Sequence, residues 1–509
     1  MKSGEISAKK SVRLMIFMGA VLFISGGSIS ADNRQRVIPL DSPVYALVDS
    51  IFIEIGQVHP NKARPWTADE VRFILDDIDP SVLSEAGRNA YDSILWACNP
   101  EMLYEENRFA FDMGIEVAPE TFWHWNVDSS DDYSAETYSW MRGYEERKSF
   151  VSIPLEFWFF DSLYMISDLE FKEEHNTVDS GLHNDGTFPS WILSNHFNIL
   201  FDDPDPKLDL YFPYRALLSV GGANWNVRFG RDQLSWGNGN SGNLMLSDYS
   251  DYYDFLMLSL WARNFKMTNV YLTMDPYLAD GTYVEYNAFL GHRFDVRLWK
   301  RALLSVCESY TFSGDDYPDL IHDLNFLMVF HNWLLSGANS LMTVELSVNP
   351  WKYLNVYGQI AMDEFTTEYE ADRGGGGGPP IFGYMAGVES SVPLGPGYVN
   401  ACVEWVLTNP WLYNRRAAPY YYQVRKYWSL TTDKSEYITK PLGYEYGPDS
   451  IVWYGEVSYR WPDSVSAVFD FTYLQQGENT ISTAWDPQEG DVTPSGIGEN
   501  SLIFHLGAE

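Results

Sequence analysis

Past residue 31 the chain has no apolar run approaching the roughly 18 to 20 residues that a transmembrane helix needs. Helical membrane spans are excluded, so any passage through a bilayer has to be made by strands closed into a barrel, the other arrangement that satisfies every backbone polar group in lipid. Cysteine is scarce: Cys98, Cys307 and Cys402 are odd in number and far apart, and define neither a disulfide framework nor a metal cluster. Positive charge is scarce too. With 34 Lys and Arg against 70 Asp and Glu the formal charge is -36, and a chain so acidic repels phosphate backbones, which argues against a nucleic-acid partner. No serine-nucleophile motif, zinc-ligand spacing or phosphate loop is present, and the 9 histidines, His292 and His331 among them, are scattered. Adjacent carboxylates such as Asp363 and Glu364 face opposite ways on a strand and cannot act as the paired acids of a glycoside hydrolase. The expectation is a non-enzyme with no cofactor and no metal.

What is present begins with a leader. Lys9, Lys10 and Arg13 precede the apolar stretch Leu14 to Ile24, and the small residues SGGSISA follow, the layout of a signal peptide cleaved near Ala31. No cysteine lies near that point, so no lipoprotein anchor is expected. Removing the leader's four bases and one acid (net +3) leaves about -39 on the mature chain, charge that water would solvate in a lumen, in loops and in a periplasmic part. Some of these carboxylates could instead bind divalent cations or line a cation-preferring pore. Aromatics make up 16% of the chain, with 19 Trp and 34 Tyr. They suit the interfacial girdles of a membrane barrel, and would equally suit a surface that stacks on sugar rings.

Residues 32–105 read as a small α-helical periplasmic segment that plugs, caps or precedes a barrel. Val44 to Ile55 carries apolar residues at helical intervals, Ala68 to about Asp76 places Val71, Ile74 and Leu75 on one face, and Glu85 to Trp96 forms a third helical run. Thr67 with Glu70 three residues on has the form of a capping box. From Phe109 the period changes to two: Phe109, Phe111, Met113, Ile115 and Val117 alternate with Ala110, Asp112, Gly114 and Glu116. The alternation returns at Leu208 to Tyr214, at Met342 to Val348 against Thr343, Glu345 and Ser347, at Val399 to Trp405 against Asn400, Cys402 and Glu404, and at Val457 to Trp461. Residues 106–509 are therefore expected to form an all-β, transmembrane antiparallel β-barrel of roughly 16 to 18 strands, with lipid-facing and lumen-facing side chains in turn. Asn349-Pro350, Asn409-Pro410 and the Gly374 to Gly378 run mark turns and loops. Residues 243–262 and 320–335 break the rhythm and read as short loop helices or buried strands, with helix favoured for the second.

One stretch combines wall and candidate site: Gly221 to Asp248, GGANWNVRFGRDQLSWGNGNSGNLMLSD. Ala223, Trp225, Val227 and Phe229 alternate with Asn224, Asn226 and Arg228, and a polar, glycine-rich turn follows. Arg231, Asp232, Gln233, Trp236, Asn238 and Asn240 have the ingredients of carbohydrate recognition, since directional donors and acceptors suit hydroxyls or sugar carboxylates and the indole offers an apolar face. A structural turn accounts for the same residues. Gly237, Gly239 and Gly242 match G-x-G-x-x-G, but antiparallel surroundings lack the βαβ context of a dinucleotide site. Charges expected to point inward, Asp209, Arg215, Arg228, Glu285, Asp295, Arg297, Glu345, Glu404, Glu456 and Arg460, read as rigidifying lumenal ion pairs more readily than as a polysaccharide or ion path. The acidic clusters Asp128 to Asp132 and Asp202 to Asp209 read as solvated loops, lacking EF-hand spacing.

The segments VIPLDSPVYALVDSIFIEIG, RPWTADEVRFIL, VRFGRDQLSWGNGNSGNLMLSD, LGHRF at 290–294 and YITKPLGYEYGPDS resemble the Wzi-like capsule assembly family of outer-membrane proteins, in the order expected over most of the mature chain. The resemblance implies a monomeric barrel of about eighteen strands in the outer membrane, acting as a lectin that attaches capsular polysaccharide to the cell surface, with no catalytic residues. Its partners would be surface polysaccharide, outer-membrane lipid and the barrel assembly machinery. One departure is the ending SLIFHLGAE, where Phe504 lies five residues before the last instead of an aromatic closing the chain. A porin or solute channel is the alternative, resting on the same alternation and a negative lumen.

Overall fold

The computed structural model describes residues 34–100, 102–106, 109–117, 151–160, 162–172, 196–199, 208–211, 215–250, 252–274, 284, 286–314, 339–364, 380–414, 422–431, 434–462, 464–486, 490 and 492–508. The leader, residues 320–335, Gly374 to Gly378, Glu285, His331 and Asp128 to Asp132 lie outside the described residues.

The N-terminal segment folds into three helices where the apolar spacing places them. α1 (Val44–Ile55) buries Val44, Leu47, Val48, Ile51 and Phe52 and stops at Gly56, whose φ of 70° lets its N–H return to the carbonyls of Ile53 and Phe52. α2 (Ala68–Leu75) starts at Thr67, whose hydroxyl accepts from Glu70 N at 3.2 Å. The expected capping box is only half made, because the Glu70 carboxylate is drawn instead to Lys266 on the barrel wall. α3 (Glu85–Ala97) starts at Ser84, which accepts from Gly87 N at 3.0 Å.

Among the described residues the wall is a sheet curled into a barrel, where three short strands, Glu116–Val117, His196–Ile199 and Leu208–Tyr211, add to seventeen in consecutive antiparallel pairing. In chain order these are β1 (Tyr104–Glu106), β2 (Phe109–Met113), β3 (Val151–Phe159), β4 (Leu163–Lys172), β5 (Ala216–Gly222), β6 (Trp225–Asp232), β7 (Tyr253–Ala262), β8 (Phe265–Thr273), β9 (Tyr286–Leu298), β10 (Ala302–Gly314), β11 (Asn339–Trp351), β12 (Leu354–Glu364), β13 (Ile381–Leu394), β14 (Gly397–Thr408), β15 (Ser450–Trp461), β16 (Val465–Gln476) and β17 (Glu499–Ala508). Each pairs with the next in sequence. Polar side chains line the inside and apolar ones the outside, the reverse of a soluble sandwich. On β11 Thr343, Glu345 and Ser347 are buried while the outward Leu346 is 48% exposed, and on β14 Glu404 is buried while Val403 is 53% exposed. Only a lipid surround makes that arrangement favourable. Among the described residues no helix is long and apolar enough to cross a membrane.

The sequence expectation needs three local corrections. Ala223 and Asn224 are the turn of the β5–β6 hairpin, not wall residues, because a two-residue connection reverses the chain between the paired Gly222 and Trp225. Residues 253–262 form wall strand β7, while 243–250 run irregularly, with Leu246 bridged to Trp236 and Ser247 N donating to Leu442 O. The strand expected from Phe109 to Val117 breaks after Met113, and Glu116–Val117 resumes against the start of β3.

The two ends of the barrel differ. Strands are joined at one end by turns such as 223–224, 263–264, 299–301, 352–353 and 395–396, and at the other by connections that run from 12 to 43 residues. Short turns are periplasmic and long connections extracellular in outer-membrane barrels. The helices enter from the short-turn end. Tyr353 N donates to Ile53 O (2.7 Å), Val58 N to Lys300 O (2.9 Å) and Asn89 Nδ2 to Pro396 O (2.9 Å). Asp77 accepts from Arg263, Arg297 (2.6 Å) and Lys300 (2.9 Å), three cations at the ends of adjacent wall strands. Glu54 accepts from Ser84 and from Tyr398 at the start of β14, so one carboxylate ties α1, α3 and the wall together.

Candidate functional site

After β6 the chain does not loop outward. It turns into the lumen, where Ser235–Trp236 adds to Ala63–Arg64 of the N-terminal segment as a two-stranded sheet. The two inserts thus meet inside the barrel. Trp236 is fully buried, and Gly291 on β9 makes room for it, since a Cβ there would sit 3.0 Å from the indole. Gly237 has φ 143°, and a Cβ on it would overlap Asn243, so the inward turn needs glycine. Leu244, Met245 and Leu246 then join Phe255, Met257, Phe289, Tyr413, Tyr422 and Tyr444 in an apolar cluster. Sequence patterning treated the lumen as polar; this apolar layer is built jointly by inward side chains of the wall strands, such as Phe255, Met257, Leu272 and Phe289, and by segments folded in against them, such as Trp236, Leu244 and Tyr413.

The six residues singled out from the sequence are placed as follows. Arg231 makes a bidentate pair with Asp254 (2.8 Å to each oxygen), and its guanidinium lies 3.9 Å from the Tyr252 ring centroid. Asp232 pairs with Arg215 at 3.3 Å and accepts from Gln233 N. The Gln233 amide donates to Asp248 O and Ser250 O. Trp236 is core. Asn238 donates to Leu346 O and accepts from Gln359. Asn240 is exposed at the tip; its N–H donates to Glu404 (2.9 Å) and its amide to Tyr357 (2.7 Å) and Glu389 (3.2 Å). Glu404 also accepts from Ser241 and from Tyr357 at 2.8 Å, and so clamps the tip of the insert to β12 and β14. The structure brings the six onto one segment and engages all six with the protein itself; of them only Asn240 is exposed.

The expected inward charges behave likewise. Arg228 donates to Pro65 O (2.7 Å), Arg297 binds Asp77, and Asp295 and Glu345 share Arg293, all of them buried. Arg293 and Lys266 went unnoticed in the sequence; their signal was their place on the polar face of β9 and β8. Along β15 and β16, Tyr454, Glu456, Arg460 and Asp470 face the lumen yet stay partly exposed. The Asp209 backbone lies on the strand Leu208–Tyr211.

A second layer sits above the insert, where the long connections converge. The Lys440 ammonium lies 4.7 Å from the centroid of Tyr249. Asp248 is exposed, and Tyr249, Tyr252, Glu445 and Tyr446 are half-buried. Burial pushes the Glu445 carboxyl up to about 7, a hydrogen bond with Tyr446 opposes the rise, and the neighbouring Asp248 adds to it. Flat aromatic faces beside directional acceptors can hold a polyhydroxylated ring. Tyr249 and Tyr252 lay in a run read only for secondary structure, and Lys440, Glu445 and Tyr446 in YITKPLGYEYGPDS, where no site role was assigned. Among the described residues no group of three or more His, Cys, Asp or Glu could hold a metal ion.

These features define a class: an outer-membrane β-barrel whose lumen is occupied by its own helical cap and inward-folded segment. Among solved structures the chain is similar to Wzi of Escherichia coli, an outer-membrane protein involved in group 1 capsule assembly and described as a carbohydrate-binding β-barrel. The identity is 14%, the match covers 93% of this chain and 95% of that one, and the TM-score is 0.56. It is also similar to the anion-selective porin of Comamonas acidovorans (12% identity, 70% and 89% covered, TM-score 0.33) and to OmpT of Vibrio cholerae (10%, 80% and 99%, 0.33). No family model matches the chain, and no curated protein does.

Proposed function

We propose that this outer-membrane barrel holds a surface polysaccharide at its outer face and helps attach or assemble it there, without cleaving it, as a distant member of the Wzi-like capsule assembly family. The observation that carries the reading is the filled lumen: the cap from the periplasmic end and the 231–250 segment from the outer end pair with each other at Ala63 and Trp236. A barrel so occupied is built as a rigid platform, and the side chains left to act are those of the outer layer, Tyr249, Tyr252, Asp248, Glu445 and Tyr446. The likeness to Wzi in fold and coverage supports the same reading.

Purified barrel in detergent should retain surface glycan from its own organism without releasing reducing ends. Replacing Tyr249 and Tyr252 by alanine together should lower retention about tenfold, the order expected for losing one to two stacking contacts of about 0.5–1.5 kcal/mol each. A barrel that retains no glycan from its own cells ends this reading.

The partly exposed row Glu456 and Asp470 supports a second reading, a narrow cation-preferring path beside the plug. Stable conductance steps in planar bilayers, abolished by Glu456→Gln with Asp470→Asn, would favour it.

A further inference from the structure

We infer that the periplasmic rim of the barrel carries a site for anionic phospholipid, formed by Trp299 and Arg301 of one short turn and Trp351 and Lys352 at the next. It lies at the opposite end from the glycan-holding face and rests only on the outer-membrane placement of the barrel.

The first observation is where the charge of the short turns lies. Of the turns 223–224, 263–264, 299–301, 352–353 and 395–396, only the middle three are charged, and every charge is positive: Arg263, Lys300, Arg301 and Lys352. In a chain of formal charge -36 this is a local reversal of sign. Asp77 of the cap engages Arg263 and Lys300. Arg301 and Lys352 stay exposed at the rim, and among the described residues no carboxylate pairs with either. The Arg301 guanidinium donates to Pro350 O (3.3 Å), so the two turns lie side by side.

The second observation is the pair of indoles that flank these bases. Trp299 is 86% exposed and Trp351 69%, more than any other tryptophan among the described residues. Trp299 has φ 50° and Lys300 φ 59°, a left-handed backbone that bulky side chains rarely adopt. The turn thus holds an indole at its tip against local preference, with little protein contact in return. At the neighbouring turn, alternation from the inward Asn349 would carry Trp351 into the lumen. The register shift between Val348 and Trp351 instead sets Trp351 opposite Leu354, on the outward face that Val356 shares; re-aiming a side chain is what a bulge does.

Indoles settle at the headgroup level of a bilayer. Lys and Arg run their stems along apolar surface and place their heads on phosphate, which a guanidinium can grip with two hydrogen bonds. Short turns face the periplasmic leaflet, whose headgroups are those of phospholipids, and the positive rim complements the anionic ones among them. The frame is set before any lipid arrives. Val58 N donates to Lys300 O (2.9 Å) and Tyr353 N to Ile53 O (2.7 Å), so the cap fixes both turns from inside and less ordering is left to binding.

The test delipidates the full-length barrel in detergent and titrates it with phosphatidylglycerol, cardiolipin or phosphatidylethanolamine of matched acyl chains. Bound lipid is counted by native mass spectrometry, and the heat-dependent gel shift reports that each variant is folded. Each base near an anionic lipid surface is worth about fivefold in binding, so both anionic lipids should bind at least about fivefold more tightly than phosphatidylethanolamine, and Arg301→Gln with Lys352→Gln should cost them about 20-fold. Arg301→Lys with Lys352→Arg should keep the preference, and Trp299→Ala with Trp351→Ala should weaken anionic and zwitterionic lipid alike. Equal affinity of the native barrel for the three lipids, or a preference that survives the double glutamine variant, overturns the inference. Displacement of the lipid by inorganic phosphate at constant ionic strength also overturns it, by showing a site for free anions.

Discussion

Lys266 on β8 and Glu70 on α2, 196 residues apart, form an ion pair inside the barrel with side chains 2% and 1% exposed. Lys266 also donates to Ala63 O (3.0 Å) and Asn61 (3.3 Å). The pair sits where the helical cap, the strand that meets Trp236 and the wall come together, so it ties the inserted segment to the barrel.

Removing one partner should be costly, because the other charge is left buried and uncompensated. Glu70→Ala is expected to cost about 3–5 kcal/mol, read as a lower midpoint in guanidinium unfolding of the folded barrel. The double variant Glu70→Leu with Lys266→Met should recover much of that loss. Equal loss in both would show that the contact surface, not the unpaired charge, sets the effect.

Asp77 should act as the latch of the cap. Burial raises its carboxyl, but hydrogen bonds from Lys300, Arg263 and Arg297 outweigh this and hold it at about 2 against an ordinary 3.8. A carboxylate lowered on folding contributes stability that is whole above about pH 4 and is lost as pH falls through 2. The cap should therefore resist protease from the periplasmic side down to about pH 3, whereas Asp77→Asn should expose sites in residues 34–100 at neutral pH.

His59 should produce a gentler acid dependence. Burial, then the neighbouring Lys62, lower its imidazole to about 4 from 6.5, even though Asp49 lies 2.7 Å away. Between those values the unfolded chain takes a proton that the folded chain refuses, so stability should fall as pH drops from 6.5 toward 4. His59→Gln should flatten that slope in unfolding midpoints measured across the same range; an unchanged slope would assign it to other groups.

Trp236 should be the most sensitive position of the inward segment. Trp236→Ala leaves a large void in a dry cluster and should cost about 3–5 kcal/mol. Replacing residues 234–247 by a short glycine-serine link should go further and open the lumen, giving large stable steps in planar bilayers where the native barrel gives none. Silence from that variant would mean that the N-terminal cap blocks the lumen by itself.

The barrel and its cap were largely legible from residue order. Alternation at Met342 to Val348 or Val399 to Trp405 dictates a two-faced strand whatever its neighbours, and the apolar spacing of Val44, Leu47, Val48 and Ile51 dictates a helix face. The site was legible only as a segment. Arg231 and Asp232 carry the same chemistry whether they meet a sugar or Asp254 and Arg215, and nothing local distinguishes the two.

Sequence alone thus determined the two-faced character of the regularly alternating strands, the approximate bounds of the three helices, and that the chain is acidic, because each of these depends on neighbours within a few positions. Tertiary structure decided that the 231–250 segment points inward and that Trp236 meets Ala63. It also decided that Glu70 leaves its own helix cap for Lys266, and that Tyr249, Tyr252 and Glu445 form the outer layer. Those outcomes depend on pairings across 100 to 200 residues, set by barrel closure and by the need to fill the space it encloses, which no short window of sequence contains.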